Sequence, residues 1–564
     1  MKTTVAEGLA EILHRGGVQR IYGVVGTSIL PAINALGKFK NKIRYISCRH
    51  EQVAASMADA EGRITMKPGV AIVHAAPGSL NAAISAANAY KDSSPMILIA
   101  GSVPERERDR DGFLELKLSE IFDLFTFGSF RLGKAHKLAD LLTHAYRKAI
   151  SVPKGPVFIE IPDDLWLVET EFDENDLNFK ADSVPRAKDE DVKKSKELID
   201  RATRPLILAG AGVFHSGATQ ELKKFTEAYN IPVITTGNGR GTIPEDHYLS
   251  YGRSGYAGGN TVADYAFLNA DLVIAIGATI SDLTDYNGTW NHTGRIMVVN
   301  PHNVVAEKAK IKGFIPLICD ARSFLNSMLK VPPGELIPKK DEWIKTLDIK
   351  REEWLGMLRV SLEKEGISPA RVLKELRKML PRESLFSAGA GMHLVYANDF
   401  FECYEPSTYL ATNNFGSMGF GLAAAMAAKA VYPDRHAVAI LGDGEFMMTL
   451  QDIETALREK LNIKVIILND NSYRVLRLSQ IMDGLEPFGT DHSNPDFIKL
   501  SESFNVKGFR LTSQDDLGTE LEEFIKCDSP AILEIPTDRD DIPPTNMEAI
   551  LKMRNLYKIG TKEG

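Results

Sequence analysis

Asp443 lies in a Gly442-Asp443-Gly444 turn, and after twenty-four further residues comes a second oxygen-rich cluster, Asn469-Asp470-Asn471. Two carboxylates flanked by amide and backbone oxygens are hard ligands, suited to a divalent cation. The glycines leave backbone N–H groups open to an anion at the start of a helix. Together the residue types and their spacing fit a divalent cation held against a diphosphate. A lone Gly-Asp-Gly also occurs in ordinary loops, and the second cluster at this spacing is what makes the signal specific.

Such residues need a rigid frame. His436 to Leu441 reads as a buried strand ending on the turn, Leu450, Ile453, Ala456 and Leu457 recur at helical spacing, and Ile463 to Leu468 reads as the next strand. The resulting βαβ unit puts a carboxylate at the end of each strand. Similar alternation elsewhere predicts an α/β protein of three doubly wound parallel-sheet domains, spanning 1–170, 190–333 and 367–540, with a tail over 541–564. In the first, Arg20 to Val25, Val70 to His74 and Met96 to Ala100 alternate with Ala-rich helical stretches, and the acidic run Glu169 to Glu190 reads as a linker. The second opens on Arg204 to Gly212. Its Gly210-Ala211-Gly212-Val213-Phe214-His215 lacks the third glycine of a dinucleotide fingerprint, so the domain is either structural or holds FAD or another nucleotide. The tail after Ile542-Pro543-Pro544 either closes over the site or packs on the surface. The first and third segments could be related folds.

Composition narrows the function class. The 564 residues are 44% hydrophobic and 25% charged, ordinary globular values, and the formal charge of −8 argues against nucleic acid or an anionic membrane as partner. No apolar run approaches a membrane span, and the N-terminal Met1 to Gly17, with Glu7 and Glu11 inside its apolar pattern, reads as an amphipathic helix rather than a signal peptide. Cys48, Cys319, Cys403 and Cys527 lack metal-ligand spacing and read as four buried thiols of a reduced, cytoplasmic protein.

Three further motifs join the carboxylate pair. Arg49-His50-Glu51-Gln52 precedes an Ala-rich helix, Ala75 to Asn81 follows a strand, and Asn414 to Gly421 precedes another small-residue helix. In this order and spacing nearly the whole chain resembles the thiamine-diphosphate enzymes of the acetolactate synthase, pyruvate oxidase and benzoylformate decarboxylase superfamily. The resemblance implies a pyrimidine-binding, a central and a diphosphate-binding domain. It implies Mg²⁺ on Asp443, Asp470 and the Ser472 carbonyl, and the diphosphate on Gly444 and the Glu445 N–H, with Gly391 and His393 as further contacts. Met418 would wedge the cofactor into its bent shape, with the Gly416 and Met418 backbones on the aminopyrimidine. Glu51, with a raised pKa in an apolar pocket, would share a proton with that ring and so activate the thiazolium C2. Because Glu51 and the metal site lie in different segments and meet across subunits in this family, a homodimer or homotetramer is implied.

The chain departs from relatives at informative places. Asp470 stands where most carry Asn, Glu445 replaces a small hydroxyl residue, and Met392 replaces a polar contact. Ser479 matches the channel Trp of anabolic acetolactate synthases, and Leu476 falls at the glutamate of pyruvate decarboxylases. His74 and Thr27 fall where benzoylformate decarboxylase has substrate-facing groups. Phe113 aligns with an active-site aromatic of acetolactate synthases. His74 could protonate the intermediate or orient a substrate carboxylate, or be a strand-end histidine satisfied by backbone. Arg106, Arg108 and Arg110 could meet a substrate carboxylate or coenzyme A phosphate, or form a salt-bridge cluster. The expectation is a 2-oxo acid decarboxylase and carboligase acting through a C2 carbanion and enamine, which pass to a carbonyl acceptor. The alternatives are a simple decarboxylase like benzoylformate decarboxylase, a pyruvate-oxidase-like enzyme or a 2-hydroxyacyl-CoA lyase.

Overall fold

A computed structural model describes residues 1–255, 259–279, 292–302, 314–334 and 337–544. Among them three six-stranded, wholly parallel sheets follow one another along the chain, each flanked by helices, as the α/β alternation requires. The first runs in spatial order Arg44–Ser47, Arg20–Gly23, Gly69–Val73, Met96–Ser102, Pro156–Pro162 and Ser129–Arg131. The third runs Tyr409–Ala411, Leu385–Ala388, Ala437–Gly442, Lys464–Asn469, Ala531–Pro536 and Lys507–Arg510. Numbered along the chain, both have the order 2-1-3-4-6-5, so the two outer domains are one topology used twice. The middle sheet runs Ser250–Arg253, Val233–Thr235, Pro205–Ala209, Leu272–Ile276, Arg295–Val299 and Phe314–Leu317, the order 3-2-1-4-5-6 of a nucleotide-binding sheet.

Strands buried on both faces carry continuous apolar runs, and Met96–Ser102, Pro156–Pro162 and Leu272–Ile276 are buried along their whole length. In an open parallel sheet the ligand crevice opens at the carboxyl ends of the strands, where the strand order reverses. In the first sheet that point lies between the ends of Arg20–Gly23 and Gly69–Val73, and in the third between Leu385–Ala388 and Ala437–Gly442. Topology alone therefore aims the segments after Gly23, Val73, Ala388 and Gly442 at crevices.

The helices that follow the second strand of each outer sheet, Glu51–Thr65 and Phe420–Val431, pack on each other. Both are rich in Ala and Gly, which lets their axes approach closely, and one hydrophobic cluster runs through both domains. A polar node locks all three domains near the Met418 turn. Arg63 pairs with Asp92 at 2.8 Å, and Asp92 Oδ1 accepts from Asn238 at 2.7 Å and Asn414 at 2.6 Å. Asn413 in turn donates to Asn238 at 2.6 Å.

Several expectations change. The run read as a linker begins with a strand, Glu169–Glu171, which pairs antiparallel with Lys2–Thr4 and anchors the N-terminus. The helix between the carboxylates is broken into Asp443–Thr449, a 3-10 turn Leu450–Asp452, and Ile453–Arg458. Cys527 is only half-buried, while the other three cysteines are buried. In the central domain Gly212 donates to the Gly277 carbonyl at 2.9 Å, and a Cβ on Gly212 would lie 2.6 Å from Gly277 Cα. The glycines of Gly210-Ala211-Gly212 thus have a packing task of their own. The lid reading of the tail falls on residues 545–564, outside the described residues. No helix among the described residues is long and apolar enough to cross a membrane.

Candidate active site

Gly442 and Leu468 are register partners, so Asp443 and Asp470 emerge side by side at the carboxyl edge of the third sheet. Both are buried. Asp443 Oδ1 accepts the Gly444 N–H at 2.9 Å; Oδ2 accepts the Asn471 N–H at 2.8 Å and Asn494 Nδ2 at 2.6 Å, and lies 3.2 Å from His492 Nε2. Asp470 Oδ1 accepts the Ser472 N–H at 2.9 Å and its hydroxyl at 2.7 Å, and Oδ2 lies 2.9 Å from Arg474 Nε. Burial pushes the Asp470 carboxyl above the usual aspartate range; the Asp443 charge adds to this, while Arg474 and Ser472 oppose it. Two adjacent buried carboxylates are costly without positive charge between or beside them. Here N–H donors and a guanidinium partly supply it, and the oxygen-rich donor set fits a hard divalent cation. Among the described residues no group of three or more His, Cys, Asp or Glu is placed to hold a metal.

Asn494, His492 and Arg474 carried no signal in the motif. Arg474 reaches Asp470 from four residues on, at the start of the helix Arg474–Met482. His492 and Asn494 arrive because the segment after that helix folds back: Ser472 bridges Asp491, and the Tyr473 N–H donates to the Thr490 carbonyl at 2.8 Å.

Beside this cluster lies the Met418 turn. Gly416 and Gly419 have φ of +70° and +92°, left-handed conformations that favour glycine, and they present the half-buried Met418 just before the helix Phe420–Val431. Gln52 Nε2 donates to the Met418 carbonyl at 2.7 Å. The Gly419 N–H donates to Glu445 Oε1 at 2.8 Å, and Glu445 Oε2 lies 2.8 Å from His393 Nε2. The side chain of Glu445 is therefore turned into the domain and buried. Gly391 precedes the helix Met392–Phe400 that carries His393.

Glu51 begins the helix Glu51–Thr65, whose cap is His50, with Nδ1 accepting the Gln52 N–H at 3.1 Å. The Glu51 carboxylate is half-buried and accepts from Asn81 at 2.9 Å, and a Cβ on Gly78 would stand 3.0 Å from its Oε1. The Arg49–Gln52 and Ala75–Asn81 motifs thus form one site. At the crevice of the first sheet, His74 Nδ1 lies 2.8 Å from the Ser28 hydroxyl, and Ser28 Oγ accepts the Ala75 N–H at 3.0 Å. The hydroxyl proton is left to point at Nδ1, which also faces the Ser28 N–H at 3.4 Å. With two donors on Nδ1, the ring proton belongs on Nε2. Thr27 is exposed in the 3-10 turn Thr27–Ile29 beside Ser28. Burial holds the carboxyl of Asp163, unforeseen in the sequence, above the usual range; Asp164 adds to that, and His74 opposes it.

Not every foreseen residue joins a site within one chain. Phe113 is 89% exposed in a loop tied by the Glu115 carboxylate, which accepts the Arg110 and Gly112 N–H groups at 3.2 and 2.9 Å. Arg106 and Arg108 lie 3.5 Å from Glu107 and 3.4 Å from Glu105, an exposed salt-bridge cluster. Glu51 and the Asp443 cluster share no hydrogen bond among the described residues; their domains are joined nearby by Gln52 on Met418 and by the Arg49 N–H on Asp452.

Similarity to known proteins bears on this arrangement. Residues 3–121 match the N-terminal TPP-binding domain of thiamine pyrophosphate enzymes, 192–328 their central domain and 389–535 their C-terminal TPP-binding domain. The chain is 31% identical over 570 residues to a probable acetolactate synthase large subunit of Methanocaldococcus jannaschii, covering 96% of this chain and 93% of that one. It is 29% identical over 562 residues to the mitochondrial acetolactate synthase catalytic subunit of Saccharomyces cerevisiae, covering 94% and 80%. With the large subunit of acetolactate synthase isozyme 2 of Escherichia coli it shares 28% identity over 573 residues, covering 97% and 99%.

Proposed function

The chain belongs to the thiamine pyrophosphate enzymes and acts on carbon–carbon bonds, and we propose that it decarboxylates a 2-oxo acid and joins the remaining fragment to a second carbonyl compound. The observation that carries this reading is the match, over 96% of the chain, to a relative named as an acetolactate synthase large subunit. Bound thiamine diphosphate supplies an acidic carbon and an electron sink for the bond that breaks. Asp443, Asp470 and the Ser472 carbonyl would hold Mg²⁺; Gly444 and the Glu445 N–H, with Gly391 and His393 nearby, would receive the diphosphate. The Gly416 and Met418 backbones would face the aminopyrimidine, and Glu51 would hold and return a proton at that ring. Thr27 and His74, with the His74 Nε2 proton directed away from Ser28, would meet the substrate.

A second copy of the chain would complete the site. Large apolar side chains are exposed on both outer domains: Leu80, Phe113 and Leu124 on the first, and Phe415, Leu476 and Phe488 on the third. An aggregate of large apolar side chains in water is the usual mark of a protein interface. In a homodimer or homotetramer Phe113 would reach an active site that it does not line within its own chain. An FAD in the central domain stays a secondary proposal, since Gly210 and Gly212 are already engaged with Gly277.

A second reading, protonation to an aldehyde with no acceptor, is favoured by the Ser28–His74 pair, which leaves a proton on Nε2. One experiment tests both. The protein is incubated with thiamine diphosphate, Mg²⁺ and a panel of 2-oxo acids, with and without carbonyl acceptors, and the products are identified by mass spectrometry. Hydroxyketone or hydroxy-oxo-acid products are expected; aldehyde alone would select the second reading. No turnover of any 2-oxo acid, with Glu51→Gln indistinguishable from wild type, would sink both.

A further inference from the structure

Glu445 is buried two residues beyond Asp443, with its carboxylate turned to the Gly419 N–H. A buried carboxylate without partners costs several kcal/mol, on the order of the stability of a domain. Its surroundings answer part of that cost: Oε1 has a donor, whereas Oε2, close to the His393 ring, is buried without a hydrogen-bond partner among the described residues. Oε1 accepts the Gly419 N–H at 2.8 Å and lies 3.5 Å from the Gly421 N–H; Oε2 lies 2.8 Å from His393 Nε2. Gly389 makes the space: a Cβ there would lie 1.6 Å from Oε1, and its three nearest neighbours would all be Glu445 carboxylate atoms. The slot therefore exists for this side chain. Gly442 likewise lies against the His393 ring, where a Cβ would stand 3.2 Å from Nδ1.

Three segments meet on this one carboxylate. Glu445 is two residues beyond Asp443 in the helix Asp443–Thr449, His393 is on the helix after the first strand of the sheet, and Gly419 follows Met418. All lie at the point where the strand order reverses. We propose that Glu445 is a positioning residue that fastens the Met418 turn and the His393 ring to the segment carrying Asp443. The turn at one end of the cofactor pocket and the phosphate-binding end then move as one body. This rests on the reading of the pocket as a thiamine-diphosphate site. The side chain itself meets no cofactor and takes no part in the chemistry.

The test uses the full chain and two readouts. In cofactor-free protein, hydrogen–deuterium exchange resolved to the Gly416–Gly421 amides should speed up roughly tenfold in Glu445→Ala, and much less in Glu445→Gln, whose amide oxygen can still accept from Gly419. Gly389→Ala should speed exchange as well, because its Cβ evicts the carboxylate. Its effect should vanish in the Glu445→Ala/Gly389→Ala double variant, since the clashing atoms are gone. Calorimetry with thiamine diphosphate and Mg²⁺ should then follow the exchange ranking, with about tenfold weaker binding for Glu445→Ala and near-wild-type binding for Glu445→Gln. Unchanged Gly419 exchange in Glu445→Ala, or a Gly389→Ala defect that persists without the carboxylate, would overturn the assignment. The exchange arm needs no cofactor, so a wild-type chain that binds none would sink the functional reading while this result still stood.

Discussion

Gln52 donates its side-chain amide to the Met418 carbonyl at 2.7 Å, so the residue next to Glu51 holds the turn on which Met418 is mounted. The bond spans two domains and 366 residues of sequence. It ties the helix Glu51–Thr65 to the start of Phe420–Val431, the corresponding helix of the other outer domain.

Removing that donor should loosen the turn without unfolding the chain. An interdomain hydrogen bond of this kind contributes about 0.5–1.5 kcal/mol. Gln52→Ala is therefore expected to weaken thiamine-diphosphate binding by about 2–10-fold. Gln52→Glu should do worse, since it sets a carboxylate against a carbonyl oxygen. Calorimetry at saturating Mg²⁺, with circular dichroism to check the fold, reads the difference; equal affinities would mean that the turn is held elsewhere.

The segment that folds back over Asp443 should govern the cation. Asn494 Nδ2 serves Asp443 Oδ2 at 2.6 Å, Asn469 Oδ1 at 3.0 Å and Asn471 Oδ1 at 3.1 Å, so it sets the spacing of the oxygen cluster. Asp443→Ala is expected to abolish Mg²⁺-dependent cofactor binding. Asn494→Ala should leave binding possible but raise the Mg²⁺ needed for half-saturation about tenfold, the scale on which outer partners tune metal sites. Metal titrations at fixed thiamine diphosphate separate the two. An Asn494→Ala curve that overlays wild type would assign Asn494 to folding alone.

What the sequence disclosed and what it hid follow one physical rule. Strands buried on both faces, such as Met96–Ser102 and Lys464–Asn469, announce themselves as apolar runs, and the motif residues sit at their ends. Edge strands such as Arg44–Ser47, and the three-residue Tyr409–Ala411, are short or half-exposed and leave no periodic trace. Strand order was out of reach too, so the likeness of the outer domains stayed a suggestion until both showed 2-1-3-4-6-5. Within the site, Glu51, Asp443 and Asp470 stood in recognisable patterns. Ser28, 46 residues from His74, and Asn494, 51 residues from Asp443, act only through tertiary contact, and an isolated Ser or Asn has no local signature.

The Ser28–His74 pair makes a separable prediction about the reaction step. Ser28→Ala removes the nearer of the two donors that keep the His74 ring proton on Nε2, leaving only the backbone N–H at 3.4 Å, and does not touch the Asp443 end. The expected result is a fall in kcat/KM of at least about tenfold, within the range that positioned acids and bases contribute, with cofactor affinity unchanged. His74→Ala should cost at least as much, and the double variant should cost no more than His74→Ala alone. Additive losses would show that the two residues act independently.

Asp452 offers a test that needs no substrate. Its Oδ1 accepts the Arg49 N–H at 2.8 Å, two residues before Glu51, and the Thr455 hydroxyl at 2.8 Å, while Oδ2 is buried without a partner among the described residues. Burial raises this carboxyl to about 6; the two hydrogen bonds and His50 oppose the shift, and Glu454 adds to it. Between the ordinary aspartate value of 3.8 and about 6 the folded chain keeps a proton that the unfolded chain has lost. Its contribution to stability is therefore fully present below 3.8, declines as pH rises through about 6, and is gone above that. The difference between 3.8 and about 6 corresponds to about 3 kcal/mol. Asp452→Asn keeps an acceptor for Arg49 and Thr455 but carries no charge at any pH. The variant should therefore gain on wild type as pH rises from 4.5 to about 7, and then hold a constant difference. Thermal unfolding of both proteins across that range measures the gap, and a gap independent of pH would mean that Asp452 is ionised in the folded chain throughout.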